Sequence, residues 1–205
     1  MSDWQVAPSI RASIRIQRTA VEKGMTMIKS DRTYRPVRRI VTGENADGRS
    51  CFLSDGPTPN VVMPDYSPSV AQVVWATGKG AATGDEPAPA GHAFDFHSDG
   101  GSLLRIVDFP PDHTIDQEGL TEFLDTHKVR DTNSPRHFWF HKTASLDYAI
   151  VLEGEIYAMM DEGETLMSAG DILIQRATNH SWSNRSQAPC RMAFVLLALD
   201  EGETH

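Results

Sequence analysis

From Val37 onward the chain is written as short apolar runs punctuated by Gly, Pro, Asn and Asp. VRRIVTG, SCFLSDG, AQVVWATG, SLLRIVDFP, RHFWFHKT, LDYAIVLEGEIYAMM, ETLMSAGDILIQR and RMAFVLLAL carry the β-branched and aromatic residues that suit a pleated surface. There are no heptads and no internal repeat, so the pattern predicts an all-β domain. The Pro-rich stretches Pro57 to Pro68 and Glu86 to Gly91 are expected to be loops, because proline lacks the N–H that a ladder needs.

Two segments carry helical spacing instead. Between Asp116 and Lys128, Leu120, Phe123, Leu124 and His127 fall on one side, and Thr114 with Gln117 has capping-box spacing. This helix is expected as an insertion packed over one end of a barrel, or as a lid over a pocket. Pro8 to Gly24 can form a second helix, with Ser9 as N-cap and Ile10, Ile14 and Val21 along one face. Residues 1–36 therefore read as an N-terminal arm and 37–205 as a single barrel domain. The arm has three readings: packing on a partner subunit, a disordered start preceding Met25 or Met27, or a targeting or nucleic-acid segment.

Charge sharpens this division. The net charge of −9 splits into about +6 over residues 1 to 39 and about −15 over the rest, an acidic body with a basic arm. An acidic body is a poor partner for a phosphate backbone, so no nucleic acid is expected for the barrel. No apolar run is long enough for a membrane span, and Cys51 and Cys190 are too few for a disulfide framework. A cytoplasmic protein acting without a membrane is the expectation. No G-x-S-x-G, Walker loop or G-x-G-x-x-G is present, and neither cysteine has a local activating group.

The candidate chemistry lies in two stretches, residues 137–155 (HFWFHKTASLDYAIVLEGE) and residues 170–184 (GDILIQRATNHSWSN). Period-two alternation in the first predicts His137, Trp139, His141 and Thr143 on one face, with Phe138, Phe140 and Lys142 on the other. In the second, Gly170-Asp171 turns into an apolar strand, and His180, Trp182 and Asn184 share a face.

LEGE, the hairpin IYAMMDEGETLM, the SAGDILIQ unit and the H-x3-N pattern at His180 and Asn184 come in an order that resembles the two motifs of the cupin superfamily. The resemblance is to small single-domain microbial cupins and covers residues 103 to 198. It implies a double-stranded β-helix, the jelly-roll barrel of two facing antiparallel sheets. It also implies a metal site. His141 falls at the first His of motif one, Asp147 at its Glu, and His180 at the His of motif two, while Thr143 stands where a second His is usual. Motif two has Arg176 and Thr178 near where Pro and Gly are usual, with one residue fewer before the His.

His137 cannot replace the missing ligand from a straight strand, because four residues span about 13 Å. What the resemblance leaves is His141, Asp147 and His180, a two-His, one-carboxylate set suited to Fe(II) but open to Mn, Ni or Zn. Thr143, Tyr157, Gln175 and Trp182 are pocket candidates, and Arg105 or Arg176 could take a substrate carboxylate. The functional expectation is a metal-dependent enzyme, a dioxygenase, isomerase or lyase/decarboxylase, acting on a small oxygenated organic molecule. The alternative is a metal-free cupin that binds a small ligand without catalysis. The resemblance further implies a homodimer paired through outer strands.

Overall fold

The structure is a computed structural model that describes residues 34–78, 101–126 and 136–199. Within them lie β1 (Arg38–Glu44), β2 (Ser50–Pro57), β3 (Asn60–Val62), β4 (Val70–Ala76), β5 (Ser102–Phe109), a 3₁₀ turn (Asp112–Thr114) and α1 (Gln117–Thr126). There follow β6 (Ser145–Glu153), β7 (Glu155–Met160), β8 (Glu164–Ser168), β9 (Ile172–Arg176), β10 (His180–Ser183) and β11 (Cys190–Ala198). The N-terminal helix, the Glu86 to Gly91 loop and His127 fall outside the described residues. No described helix is long and apolar enough to cross a membrane.

A six-stranded sheet in the order β3-β4-β5-β11-β6-β9 faces a three-stranded sheet, β10-β7-β8, while β1 and β2 form a separate ribbon. Neighbouring strands are antiparallel throughout. The chain is thus an all-β barrel with one small inserted helix, as its pattern predicts. One cluster of Val73, Leu103, Val107, Val151, Ile156, Met167, Trp182, Met192, Phe194 and Leu196 joins the two sheets. Because each strand lends alternate residues to the interior, the filling is set by a few positions. On β6 the inward row is Ser145, Asp147, Ala149 and Val151, all buried, so the interior passes from polar to apolar along one strand.

Two turns fix how the chain enters the site. Gly154 joins β6 to β7 at φ +82°, and a Cβ there would lie 3.1 Å from the carbonyl oxygen of Pro189, so only glycine suits it. After β9 the chain bends through Ala177, which holds φ +49° and donates its N–H to the Ser145 carbonyl at 3.1 Å. An L-residue in this region costs about 1–2 kcal/mol relative to glycine. Ala177→Gly is therefore expected to stabilise the fold by about 1 kcal/mol. Urea denaturation checks this; an unchanged midpoint would mean that the buried methyl contributes as much as the strain costs.

Three local expectations need correction. RHFWFHKT is not a strand: Phe138 and Trp139 form a turn, and His141 alone makes a bridge, to His180. The stretch from Pro57 to Pro68 is not all loop, since it holds β3, a three-residue edge strand placed between its prolines. Finally, α1 is capped by Asp116, whose Oδ1 accepts from the Glu118 N–H at 3.1 Å, while Thr114 turns its hydroxyl to the Pro111 carbonyl. Leu120 and Leu124 are fully buried, and Tyr66, Ile115, Phe138 and Trp139 pack on them. The helix is a packed insertion that braces the turn leading to His141.

Candidate functional site

The polar end of the barrel is assembled from five places in the chain. His141 arrives on the turn that α1 braces, Asp147 on β6, Gln175 on β9, His180 on β10 and Arg105 on β5. All five are at least nine-tenths buried. Strand register explains the convergence. Arg105 and Ala149 both pair with Phe194, in the centre of the sheet, and the next inward row holds Leu103, Leu196, Asp147 and Gln175.

The two imidazoles form the core of the site. A backbone bridge clamps them, His141 N–H to His180 carbonyl at 2.9 Å and the reverse at 3.0 Å, and their ring centroids lie 4.3 Å apart. Each ring is also fixed by its own Nδ1, that of His141 2.7 Å from the Trp139 carbonyl and that of His180 3.0 Å from the Thr178 carbonyl. A carbonyl only accepts, so each Nδ1 carries a proton and each neutral ring keeps its lone pair on Nε2.

Electrostatics keep the rings neutral. Burial pushes the His180 pKa down to about 4, with Arg105 acting in the same direction. Burial, then His180 and Arg105, also hold His141 well below the usual histidine range, against the opposing bond to Trp139. Arg105 itself is lowered to about 10 by burial, which Asp147 partly counteracts, so it is a cation at neutral pH. Its guanidinium carbon sits 5.4 Å from the centre of the Phe194 ring. An edge-to-face series continues from there, Phe194 to Trp182 at 5.5 Å and Trp182 to His180 at 5.9 Å, giving the site one aromatic wall.

The remaining candidates divide cleanly. Thr143 is buried, and its hydroxyl oxygen accepts from Ser145 at 3.1 Å. Gln175 faces inward opposite Asp147, with its amide donated to the carbonyl and hydroxyl of Thr178 at 2.6 Å. Trp182 is both a core aromatic and a wall of the site. Tyr157 is not a pocket residue: its neighbours Ile156 and Ala158 take the inward positions, and the Arg185 guanidinium lies 4.1 Å from its ring centre. Arg176 is exposed, which leaves Arg105 as the inward arginine of the pair. Cys190 is buried, which raises its thiol to about 12 and removes it as a nucleophile.

His137 belongs to a different cluster. Its Nδ1 meets the Ser181 hydroxyl at 2.6 Å and its Nε2 the Asp112 carboxylate at 3.2 Å, on the outward side of β10. Asp112 also accepts from the Ser183 hydroxyl at 2.7 Å and the Asn184 N–H at 2.9 Å. Ser181 is fully buried, so this Asp-His-Ser set ties strands together and presents no nucleophile. Sequence spacing alone could not find Asp112 or assign Arg105 its inward direction.

For a metal, His141 and His180 supply two nitrogen donors on rings whose centroids lie 4.3 Å apart. Three donors bound to one ion must each lie about 2.1 Å from it, and no three His, Cys, Asp or Glu side chains among the described residues are grouped to hold one. Asp147 lies instead in the field of Arg105, and that guanidinium also bears on both imidazoles. A fixed cation beside the donors opposes a second, divalent one. Among the described residues, His141, Asp147 and His180 are therefore not drawn together as a three-ligand set.

Comparison with known proteins adds the following. The cupin domain family model matches residues 129–196. The cupin-domain-containing oxidoreductase fogC of Aspergillus ruber is 30% identical over 78% of this chain and 72% of its own length. The phomopsin biosynthesis cluster protein C' of Diaporthe leptostromiformis is 32% identical over 82% of each chain. The cupin-domain-containing oxidoreductase srdD of Neurospora crassa is 26% identical over 82% of this chain and 78% of its own.

Proposed function

Since the chain belongs to the cupin family, we propose that it is an enzyme of the oxidoreductase type for which several relatives are named, acting on a small oxygenated organic molecule inside the barrel. The observation that carries this reading is the His141 and His180 pair. Two buried neutral imidazoles, each fixed by its Nδ1–H, keep their lone pairs on Nε2 beside the aromatic series of Trp182 and Phe194. An imidazole nitrogen held beside a substrate hydroxyl is placed to accept its proton.

Fungal relatives named for biosynthetic clusters support a substrate of natural-product type. The experiment is turnover of a panel of small hydroxylated and carbonyl compounds, each supplied with dioxygen or a nicotinamide as the redox co-reactant, followed by mass spectrometry for a two-hydrogen or one-oxygen change. His180→Ala is expected to reduce turnover roughly 100-fold or more while leaving the β-sheet circular dichroism intact. Binding without turnover across the panel would favour the non-catalytic reading, for which the threonine at position 143 and the two-donor geometry speak.

The metal reading of the same residues is separable. Protein purified without an affinity tag and holding well under one equivalent of Fe, Mn, Ni or Zn would favour a metal-free site. One equivalent, lost in both His180→Ala and Asp147→Ala, would instead establish His141, Asp147 and His180 as ligands.

A further inference from the structure

The outward face of the six-stranded sheet is apolar across four strands, β5, β11, β6 and β9. Register aligns Ile106, Ala193, Ile150 and Ile172 in one cross-strand row, and the row beside it ends in Tyr148 and Ile174. The two ends of this face differ. Towards β4 it is closed, with Gln72 wholly buried and Ile106 and Ala193 each 8% exposed, whereas over β6 and β9 Leu152 is 48%, Ile174 51% and Ile172 61% exposed. β9 is also the edge strand of its sheet. A bare apolar face on an edge strand invites pairing with another chain, and native proteins cover or blunt such edges.

The chain's own approach to β1 crosses the closed end. Gln72 accepts from the Val37 N–H at 2.8 Å and donates to the Arg35 carbonyl at 3.0 Å. The same carbonyl accepts from Arg191 of β11 at 2.8 Å, and the Arg35 guanidinium meets Glu153, at the end of β6, at 2.7 Å. Followed from Val37 back towards Tyr34, the chain therefore runs from β4 towards β11 and β6. The next strands in that direction are the bare ones, β6 and then β9. Strands lie about 4.8 Å apart and an extended chain covers about 3.3 Å per residue, so a few residues before Tyr34 are enough to reach β9.

Residues 1–33, which precede the described residues, have the composition to continue that path. Val21, Met25, Met27 and Ile28 supply apolar side chains close to Tyr34, and the segment holds six Lys or Arg against three Asp or Glu. The body it would meet carries the opposite charge, about −15 over residues 40 to 205. A second copy of that body would bring like charge to the same face. We propose that residues 1–33 are the cover of this face: the segment continues the course of Arg35 and packs its apolar side chains on Leu152, Ile172 and Ile174 of its own chain. The cover lies on the reverse of the two strands that carry Asp147 and Gln175 inward, so it ties the basic arm to the strands of the candidate site.

The test is photo-crosslinking of the full chain with benzoylphenylalanine in place of Ile172 or Ile174, and with the same probe in place of Phe52, an exposed residue of the β1–β2 ribbon, for comparison. Crosslinks within one chain are expected to join positions 172 and 174, but not position 52, to peptides from residues 1–33. Capture of those peptides only across two chains would overturn the assignment in favour of a second copy. Failure of both positions to capture any peptide from residues 1–33 would overturn it outright. Trypsin gives a second measurement. Ile172→Thr combined with Ile174→Thr keeps β-branched residues in β9 while removing apolar surface. Cleavage after Lys23 and Lys29 is expected to run about tenfold or more faster in that variant than in the unaltered chain, because cleavage follows the population of the lifted segment. Phe52→Thr should leave the rate within about twofold. Equal rates in the unaltered chain and the double variant would show that the segment does not rest on this face.

Discussion

Acidification from pH 7 to pH 4 is expected to remove on the order of 3 kcal/mol of folding stability through His180 alone. In the fold this ring stays neutral down to a pKa of about 4, whereas in the unfolded chain it protonates near its ordinary value of 6.5. Between those values the unfolded state binds the extra proton, so stability is complete above about 6.5 and falls as pH drops towards 4. His141 is shifted in the same direction, by burial and by the neighbouring His180, and adds to the loss. Asp112 acts only below this window. Its carboxyl is held under its ordinary value of 3.8 because the bonds from His137, Ser183 and Asn184 outweigh its desolvation, so its contribution disappears in stronger acid. Urea midpoints at pH 7, 6, 5 and 4 measure the effect. A flat profile from 7 to 5 would show that the rings are not held neutral.

Asp112→Ala is the substitution expected to destabilise most outside the barrel interior, by about 2–3 kcal/mol. The carboxylate gathers donors from three places: the His137 ring, the Ser183 hydroxyl and the Asn184 N–H. Removing it leaves those donors without their acceptor, and Ser183 and Asn184 are almost wholly buried. The cluster also holds the turn that delivers His141, since His137 lies four residues before it. The thermal midpoint is therefore expected to fall by roughly 5–10 °C. Asp112→Asn, which keeps an acceptor oxygen, should recover about half of the loss. A drop within about 2 °C for the alanine variant would mean that water replaces the carboxylate and that the cluster carries no weight.

Much of this architecture was legible in the chain. Gly154, Gly170 and the apolar runs between them announce the succession of strands β6 to β9, and those strands form where the pattern places them. The faces were harder to read. β6 is apolar on both sides, with Tyr148 and Leu152 exposed outward while Ala149 and Val151 are buried, so periodicity does not reveal which row is interior. RHFWFHKT misleads for a related reason: its aromatic residues have high β propensity, yet Phe138 and Trp139 are drawn into a turn by packing on α1.

At the site, His141 and His180 follow from motif order, and the structure brings their rings side by side, 4.3 Å apart between centroids. Asp147 and Gln175 point inward as expected. Tyr157 does not, because the β-bridge register gives the interior to Ile156 and Ala158. The guanidinium of Arg105 was the least legible element. A single arginine in a strand gives no sign of its direction, and only the pairing of β5 with β11 shows that it faces the same interior as Asp147.

The site depends on the state of the two imidazoles, and nitrogen-detected NMR of the labelled histidine rings reports it directly. At pH 7 both His141 and His180 are expected to show a protonated Nδ1 and an unprotonated Nε2, with both rings titrating below the usual histidine range. Protonated Nε2 atoms, or midpoints near 6.5 for both rings, would contradict it.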